Sequence, residues 1–321
     1  MTATVHTVLG QVSAGDLGVV ATREALLSVV PGAQYAYDIV IDQAEVFETL
    51  AAQLRAFKAA GGGTIVDATG MFHGRDVRLL EDLSRATGVH LVATTGMGPE
   101  ENLGGYFLTP QTNPPTPWPA ERFAELFGAE VTEGMVVPRV ERRGSAGMIV
   151  TAGTAGALTA TDGSLYQGAA RAARDTGASM GFVYGADPLA ELELVLAEGV
   201  SVDRVLVAGL DRSGGAAAAA AIAERGAFVG IDHVGLDGDG FVTDAERVQL
   251  VLDLIAAGHR DRIILSAGAT GVAKGFVEDG RTFESVLTDF APKLLAAGVA
   301  QADIDHVLIS NPATLLAMKE A

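Results

Sequence analysis

The sequence predicts a single (β/α)8 barrel spanning residues 1–321, on three observations. Eight short apolar runs recur along the chain, helical patterns separate them, and several of those patterns end in glycine. The runs are nearly continuous in apolar residues instead of alternating, as expected of parallel strands buried on both faces. Barrels of this kind run to about 250 residues and more with insertions, so the length fits one domain. A doubly wound open sheet is the alternative. It usually has fewer strands and a glycine-rich first turn, and none follows the first run here.

Taken in order, Val5, Thr7 and Leu9 alternate within the first fifteen residues and predict a short strand or hairpin ahead of the barrel. The eight strands are read at 18–21, 64–68, 90–94, 147–151, 179–184, 204–210, 228–232 and 262–266. Between the first two, residues 43–60 place Val46, Leu50, Leu54 and Phe57 on one helical face. Further helical patterns cover 75–87, 168–175, 189–198, 243–257 and 282–297. Gly61, Gly88, Gly177, Gly199, Gly226 and Gly258 stand where helix ends favour a left-handed residue. The run Ala216–Ala221 reads as an Ala-rich helix in close packing. Residues 97–119 show no periodicity and hold six prolines. A loop of that length following a strand predicts a lid over the C-terminal face, with Tyr106, Phe107 and Trp118 available to a ligand or to the barrel rim.

Composition narrows the function classes. With 22 basic and 40 acidic residues the net charge is −18, which argues against nucleic acid and anionic membranes as partners. Zero Cys excludes disulfides, thiolate metal sites and a Cys nucleophile. No run of 18 apolar residues is present, and the first residues lack a basic segment followed by an apolar one. A cytoplasmic protein is expected.

Ten local sequences, in order, resemble the phosphotriesterase-like family of the amidohydrolase superfamily. They are Gly10 with Leu17-Gly18-Val19, then Gly63-Thr64-Ile65-Val66-Asp67-Ala68-Thr69, Gly74-Arg75-Asp76, Thr95-Gly96 and Glu130-Val131-Thr132-Glu133-Gly134-Met135. After these come Ala146-Gly147-Met148-Ile149, Arg171-Ala172-Ala173 with Thr176-Gly177, Asp203-Arg204-Val205-Leu206, Asp261-Arg262-Ile263-Ile264-Leu265-Ser266 and Asn311-Pro312-Ala313. The resemblance implies a barrel, a homodimer, and hydrolysis of phosphotriesters, lactones or related esters by two divalent metals at the strand C-termini. It also implies ligands: an HxH on strand 1, a carboxylated Lys on strand 4, a His on each of strands 5 and 6, and an Asp on strand 8.

Every one of those positions is changed. The HxH reads Arg23-Glu24-Ala25, and the other four positions fall at Val150, Val183, Gly209 and Gly268. No His, Asp, Glu or Lys stands within two residues of Val150, Val183 or Gly268. The family's metal chemistry therefore does not transfer, and no metal or other cofactor is expected. Of the six His, only His73 and His233 fall near a strand C-terminus, too few for a rebuilt zinc site. Residues 237–246 resemble an EF-hand loop but lack the anchoring first Asp, which would be Gly235. Thr243 and Glu246 read there as a capping box.

Arg23 stands where the first metal ligand would be. It either faces the pocket as a fixed positive charge for an anion or oxyanion, or pairs internally with Asp67, Asp211 or Asp232. In the first case Tyr184, Asp232 and His233 supply acid or base with Arg23 as catalytic residues, and Asp67, Tyr106, Trp118 and Asp211 contact a small-molecule ligand. Gly209 and Gly268 are expected to open the mouth. The expected function is metal-independent hydrolysis or lysis of a small ester, lactone or carbonyl compound. The alternative is an inactive barrel that binds a small molecule or a protein partner.

Overall fold

The computed structural model describes residues 3–30, 36, 39–71, 73–103, 116–137, 141–238, 240–276 and 280–319. An antiparallel hairpin, β1 (Thr4–Thr7) and β2 (Gly10–Ser13), opens the chain. The barrel strands are β3 (Val19–Val29), β4 (Gly62–Asp67), β5 (His90–Thr95), β8 (Met148–Ala152), β9 (Ser179–Val183), β10 (Val205–Ala208), β11 (Phe228–Ile231) and β12 (Ile263–Leu265). A small antiparallel hairpin, β6 (Met135–Val137) and β7 (Glu141–Arg143), lies outside them. A last strand, β13 (Thr270–Lys274), returns to pair with the upper half of β3.

All neighbours in the nine-stranded sheet whose order runs from β12 through β11, β10, β9, β8, β5, β4 and β3 to β13 are parallel. Closure between the first and last barrel strands comes from the Thr22 hydroxyl donating to the Leu265 carbonyl at 3.3 Å and the Arg23 N–H donating to Ser266 Oγ at 3.0 Å. The predicted (β/α)8 barrel is therefore the fold, and the N-terminal hairpin is present.

The described α-helices are α1 (Gln43–Ala59), α2 (Val77–Thr87), α3 (Glu100–Leu103), α4 (Ala120–Thr132), α5 (Ala160–Thr176), α6 (Pro188–Leu196), α7 (Ala216–Arg225), α8 (Asp244–Ala256), α9 (Ala291–Ala296), α10 (Gln301–Asp305) and α11 (Asn311–Leu316). Helix α5 starts eight residues before the pattern suggested. A Cβ at Gly168 would lie 2.5 Å from the Phe123 side chain and 2.7 Å from the Ala120 carbonyl, so close packing of α4 on α5 requires glycine inside the helix. None of the described helices is long and apolar enough to cross a membrane.

The barrel interior is apolar at its N-terminal half. Val20, Val66, Val92, Met148, Leu206, Phe228 and Ile264 fill it, closed below by Val5 of the hairpin and by Leu315 and Leu316 of α11. Each such side chain contributes about 1.5–3 kcal/mol by leaving water. The C-terminal half is built differently. The β3–β4 register shifts between Ala21 and Glu24. That bulge turns Arg23 toward the mouth although Val20, three residues earlier, faces the interior, a spacing that a regular strand forbids.

Candidate functional site at the barrel mouth

A cavity of about 260 Å³ opens at the C-terminal end of the strands. Arg23, Ala25, Val150 and Val183 all line it, so four of the six positions that would carry metal ligands meet at one place. The rest of the wall is mostly apolar, with Met97, Met148, Leu206 and Ala208.

The other two positions are glycines, and guanidinium groups pack over both. A Cβ at Gly209 would sit 3.0 Å from Arg212 Nε. A Cβ at Gly268 would sit 2.7 Å from the Asp232 carbonyl, 3.4 Å from Arg281 Nη1 and 3.9 Å from Arg23 Nη1. Both glycines also hold left-handed backbone, at φ 76° and 61°. They do not enlarge the mouth as the sequence suggested, because arginine side chains take the volume that the ligands would have used. The donor set does not fit a binuclear metal centre: the six side chains offer no carboxylate, imidazole or lysine, and an Asp at 268 would strain the backbone. Among the described residues no three His, Asp or Glu side chains are grouped to hold a metal ion.

Among the described residues the Arg23 side chain makes no hydrogen bond or ion pair; its backbone N–H donates to Ser266 Oγ. The aspartates that might have tied it are otherwise engaged. Asp67 accepts from the Leu26 N–H at 3.2 Å and the Thr69 hydroxyl at 2.8 Å, tying β3 to the end of β4, and does not itself line the cavity. Asp211 accepts from the Asp232 and His233 N–H groups, from His233 Nδ1 at 2.7 Å and from Arg247 Nε at 2.8 Å. Burial alone would raise the Asp211 carboxyl, but the bonds from His233 and Arg247 outweigh it and hold the group well below the usual carboxylate range.

Asp232 and His233 lie just past the end of β11, and neither is among the residues that line the cavity. Asp232 is fully buried, accepts from the Gly209 N–H through Oδ2, and among the described residues has no hydrogen-bond partner at Oδ1. Burial pushes its carboxyl up, opposed first by the charge of Arg23. His233 is oriented by Asp211 and packs on Phe241 with ring centroids 4.6 Å apart. Arg23, Asp232, His233 and Asp211 are thus brought together. Tyr184 is not with them. Its hydroxyl reaches Gly215 before α7, and Arg212 lies over its ring at 4.0 Å, in the layer between strands and helices. Trp118 packs on Phe123 at the start of α4, with Arg122 over its ring. Tyr106 lies outside the described residues, as do the rest of 104–115 and Asp239.

Three groups that the sequence did not single out for this site belong to it. Arg212 and Arg281 resemble ordinary loop cations in one dimension. In the sequence His73 is distinguished only by its place near a strand end. It lines the cavity, and burial pushes its imidazole below the ordinary range, against the Gly98 carbonyl beside it. The EF-hand-like segment is a loop: Thr243 and Glu246 form both bonds of a capping box for α8, and Asp237 pairs with Arg247.

Two buried carboxyls brace the mouth. Glu24 spans the break between β12 and β13, accepting from Ser266 Oγ at 2.6 Å and from the Ala267 and Ala269 N–H groups. Burial raises it to about 7 against those bonds, and burial raises Asp67 to about 6. A carboxyl with a raised folded pKa stabilises the fold fully below its unfolded pKa and loses that contribution as pH rises through the folded value. Between pH 4.5 and 7 Glu24 withdraws about 3 kcal/mol. Melting temperature against pH should therefore fall more steeply from pH 5 to 8 in the parent protein than in Glu24→Gln. Equal slopes would remove Glu24 from this account.

The family model described as "Phosphotriesterase family" matches residues 3–316. A phosphotriesterase-related protein of Nematostella vectensis is 28% identical over 289 residues, covering 86% of this chain and 79% of that protein. The N-acetyltaurine hydrolase of Danio rerio is 26% identical over 292 residues, covering 85% and 78%. Among solved structures, a variant of an organophosphorus hydrolase from Deinococcus radiodurans superposes with a TM-score of 0.86 at 25% identity, over 98% of this chain and 97% of that one.

Proposed function

This chain belongs to the phosphotriesterase family, and on that premise we propose that it is a metal-independent hydrolase or lyase acting on a small ester, lactone or carbonyl compound. The observation that carries the reading is the guanidinium of Arg23: it lines the cavity, stands at a metal-ligand position, and among the described residues has no bonded counter-ion. A fixed cation in an apolar pocket stabilises an oxygen that gains negative charge, which is one of the tasks metals perform in such barrels.

In this reading His233 is the base. Asp211 accepts from its Nδ1 and so leaves Nε2 to take a proton from water. Asp232, favoured in its neutral form by burial, is the proton donor to the leaving oxygen. Tyr184, Asp67 and Trp118 take no chemical part. The protein acts as a cytoplasmic homodimer in the same proposal, on the family resemblance.

A second reading is an inactive barrel that binds a small molecule or a protein partner. It draws on the fact that Arg23 lines the cavity whereas His233 does not. The test is hydrolysis of a panel of aryl esters and lactones after exhaustive chelation, by the parent and by His233→Asn. Chelator-resistant turnover that falls at least 100-fold in His233→Asn supports the enzyme. Turnover only after added metal would overturn metal independence, and no turnover of any compound would favour the binding barrel.

A further inference from the structure

We propose that the cavity is a pocket for the short alkyl chain of a neutral carbonyl compound, lying among the positions of the lost metal ligands, and that Gly181 and the Met148 methyl set its depth. This rests on the reading of the mouth as a site for an ester, lactone or carbonyl compound. It adds where the chain of that compound lies, how long it is and which residues measure it.

The strand register shows how the pocket is built. Val150, Gly181 and Leu206 are partners on β8, β9 and β10, and two residues further on so are Ala152, Val183 and Ala208. All six line the cavity, as does Met148, one inward-facing step below Val150. The cavity thus follows β8 from Met148 to Ala152, about 13 Å at about 3.3 Å per residue. Barrels usually fill such levels with bulky branched side chains. Here Gly181 leaves a gap in the lower level, and Val183 stands between two alanines in the upper one.

One movable group closes the gap. A Cβ at Gly181 would lie 2.8 Å from Met148 Cε, with Leu206 Cβ and Cδ2 at 3.7 Å. The Met148 thioether therefore lies across the glycine, and Met148 and Leu206 pack with Phe228 and Ile264 into the closed core beneath. The next inward-facing glycine, Gly230 on β11, is filled differently: Asp232 Oδ2 lies 2.6 Å from where its Cβ would stand. Among the described residues no Asp, Glu or Lys lines the cavity, and Arg23 is its one permanently charged group. The carbonyl oxygen meets the guanidinium and the chain runs down the apolar wall. At about 30 Å³ per water-sized group, 260 Å³ takes about eight or nine heavy atoms, which a methyl ketone reaches at about seven carbons.

The experiment titrates the full chain, carrying carbon-13 at its Met methyls, with 2-alkanones from butanone to undecanone. These offer the carbonyl and the chain but no bond to hydrolyse. Met97 and Met148 line the cavity, whereas Met71, Met135, Met180 and Met318 do not, so saturable shifts are expected at the first two resonances and not at the other four. Affinity should rise about fourfold per carbon, the effect of one buried methylene, up to about heptanone, and stop rising by nonanone. Gly181→Ala drives the Met148 methyl into the cavity, and should weaken heptanone at least fivefold and butanone less than twofold. Met148→Ala should move the limit out by two or three carbons. Gly181→Ala displaces only the end of a flexible side chain, and carries the test alone if Met148→Ala does not fold. Arg23→Leu should weaken every ketone by about the same factor, tenfold or more, without moving the limit. No saturable shift at Met148, affinity that keeps rising past nonanone, or a Gly181→Ala protein with the parental limit would overturn the proposal. The two readings fail separately. A length limit set by Gly181 without turnover of any ester keeps the pocket and rejects the enzyme. Chelator-resistant ester turnover whose chain-length preference is untouched by Gly181→Ala does the reverse.

Discussion

Replacing Arg247 with Met is expected to destabilise the protein by about 3–5 kcal/mol, the range for removing one partner of a buried ion pair. Arg247 is fully buried, and its guanidinium reaches Asp211 at 2.8 Å, Asp244 at 2.9 Å and Asp237 at 3.3 Å. It also donates to the Leu236 carbonyl at 2.6 Å. Met refills most of the volume but leaves Asp211 as a wholly buried carboxylate whose main remaining counter-group is His233. The melting temperature should fall by roughly 6–20 °C, at about 2–4 °C per kcal/mol. A double variant that also carries Asp211→Asn should recover part of the loss, since the orphaned charge is removed with its partner. Thermal unfolding of the single and double variants reads both effects. A single variant that melts within 2 °C of the parent would show that the cluster is not what holds the loops after β10 and β11.

Replacing Arg23 with Met should have the opposite effect on stability and a larger one on activity. A cation with no bonded counter-ion among the described residues costs the fold more at the cavity wall than a flexible apolar side chain in the same place. Stability should rise by about 0.5–2 kcal/mol, the usual gain when a functional strain is released. Ester or lactone turnover should fall by about 100- to 1,000-fold, the cost of losing one oxyanion donor. Melting curves and initial rates on the same preparation separate the two outcomes. An Arg23→Met protein that melts below the parent would mean that the guanidinium is an internal tie after all, and unchanged turnover would remove Arg23 from the chemistry.

Much of the barrel was legible in one dimension. Parallel strands buried on both faces, such as Val205–Ala208 and Phe228–Ile231, leave continuous apolar runs that few other structures need. Gly88, Gly177 and Gly226 do adopt left-handed backbone at the ends of α2, α5 and α7. The strand β13 was not legible, because Thr270–Lys274 is half-exposed in pattern and pairs with β3 nearly 250 residues earlier. The hairpin β6–β7 has three residues per strand, too short for any period to show.

The sequence by itself determined the family frame and the absence of the usual metal donors, since both depend on residue identity at positions in a linear order. The resemblance also put Arg23 at the mouth, because it stands at a metal-ligand position of the family, although only the bulge in β3 turns it there. Only the tertiary structure decided which cations meet and which acids are free to meet them. Asp67 and Asp211 are satisfied by donors from other strands and from α8, Arg212 and Arg281 fold back over two glycines, and Arg23 remains with no bonded partner for its guanidinium. Pairing among charged side chains is set by distances of a few ångströms between segments far apart in the chain. Residue order holds no record of those distances until the backbone closes them.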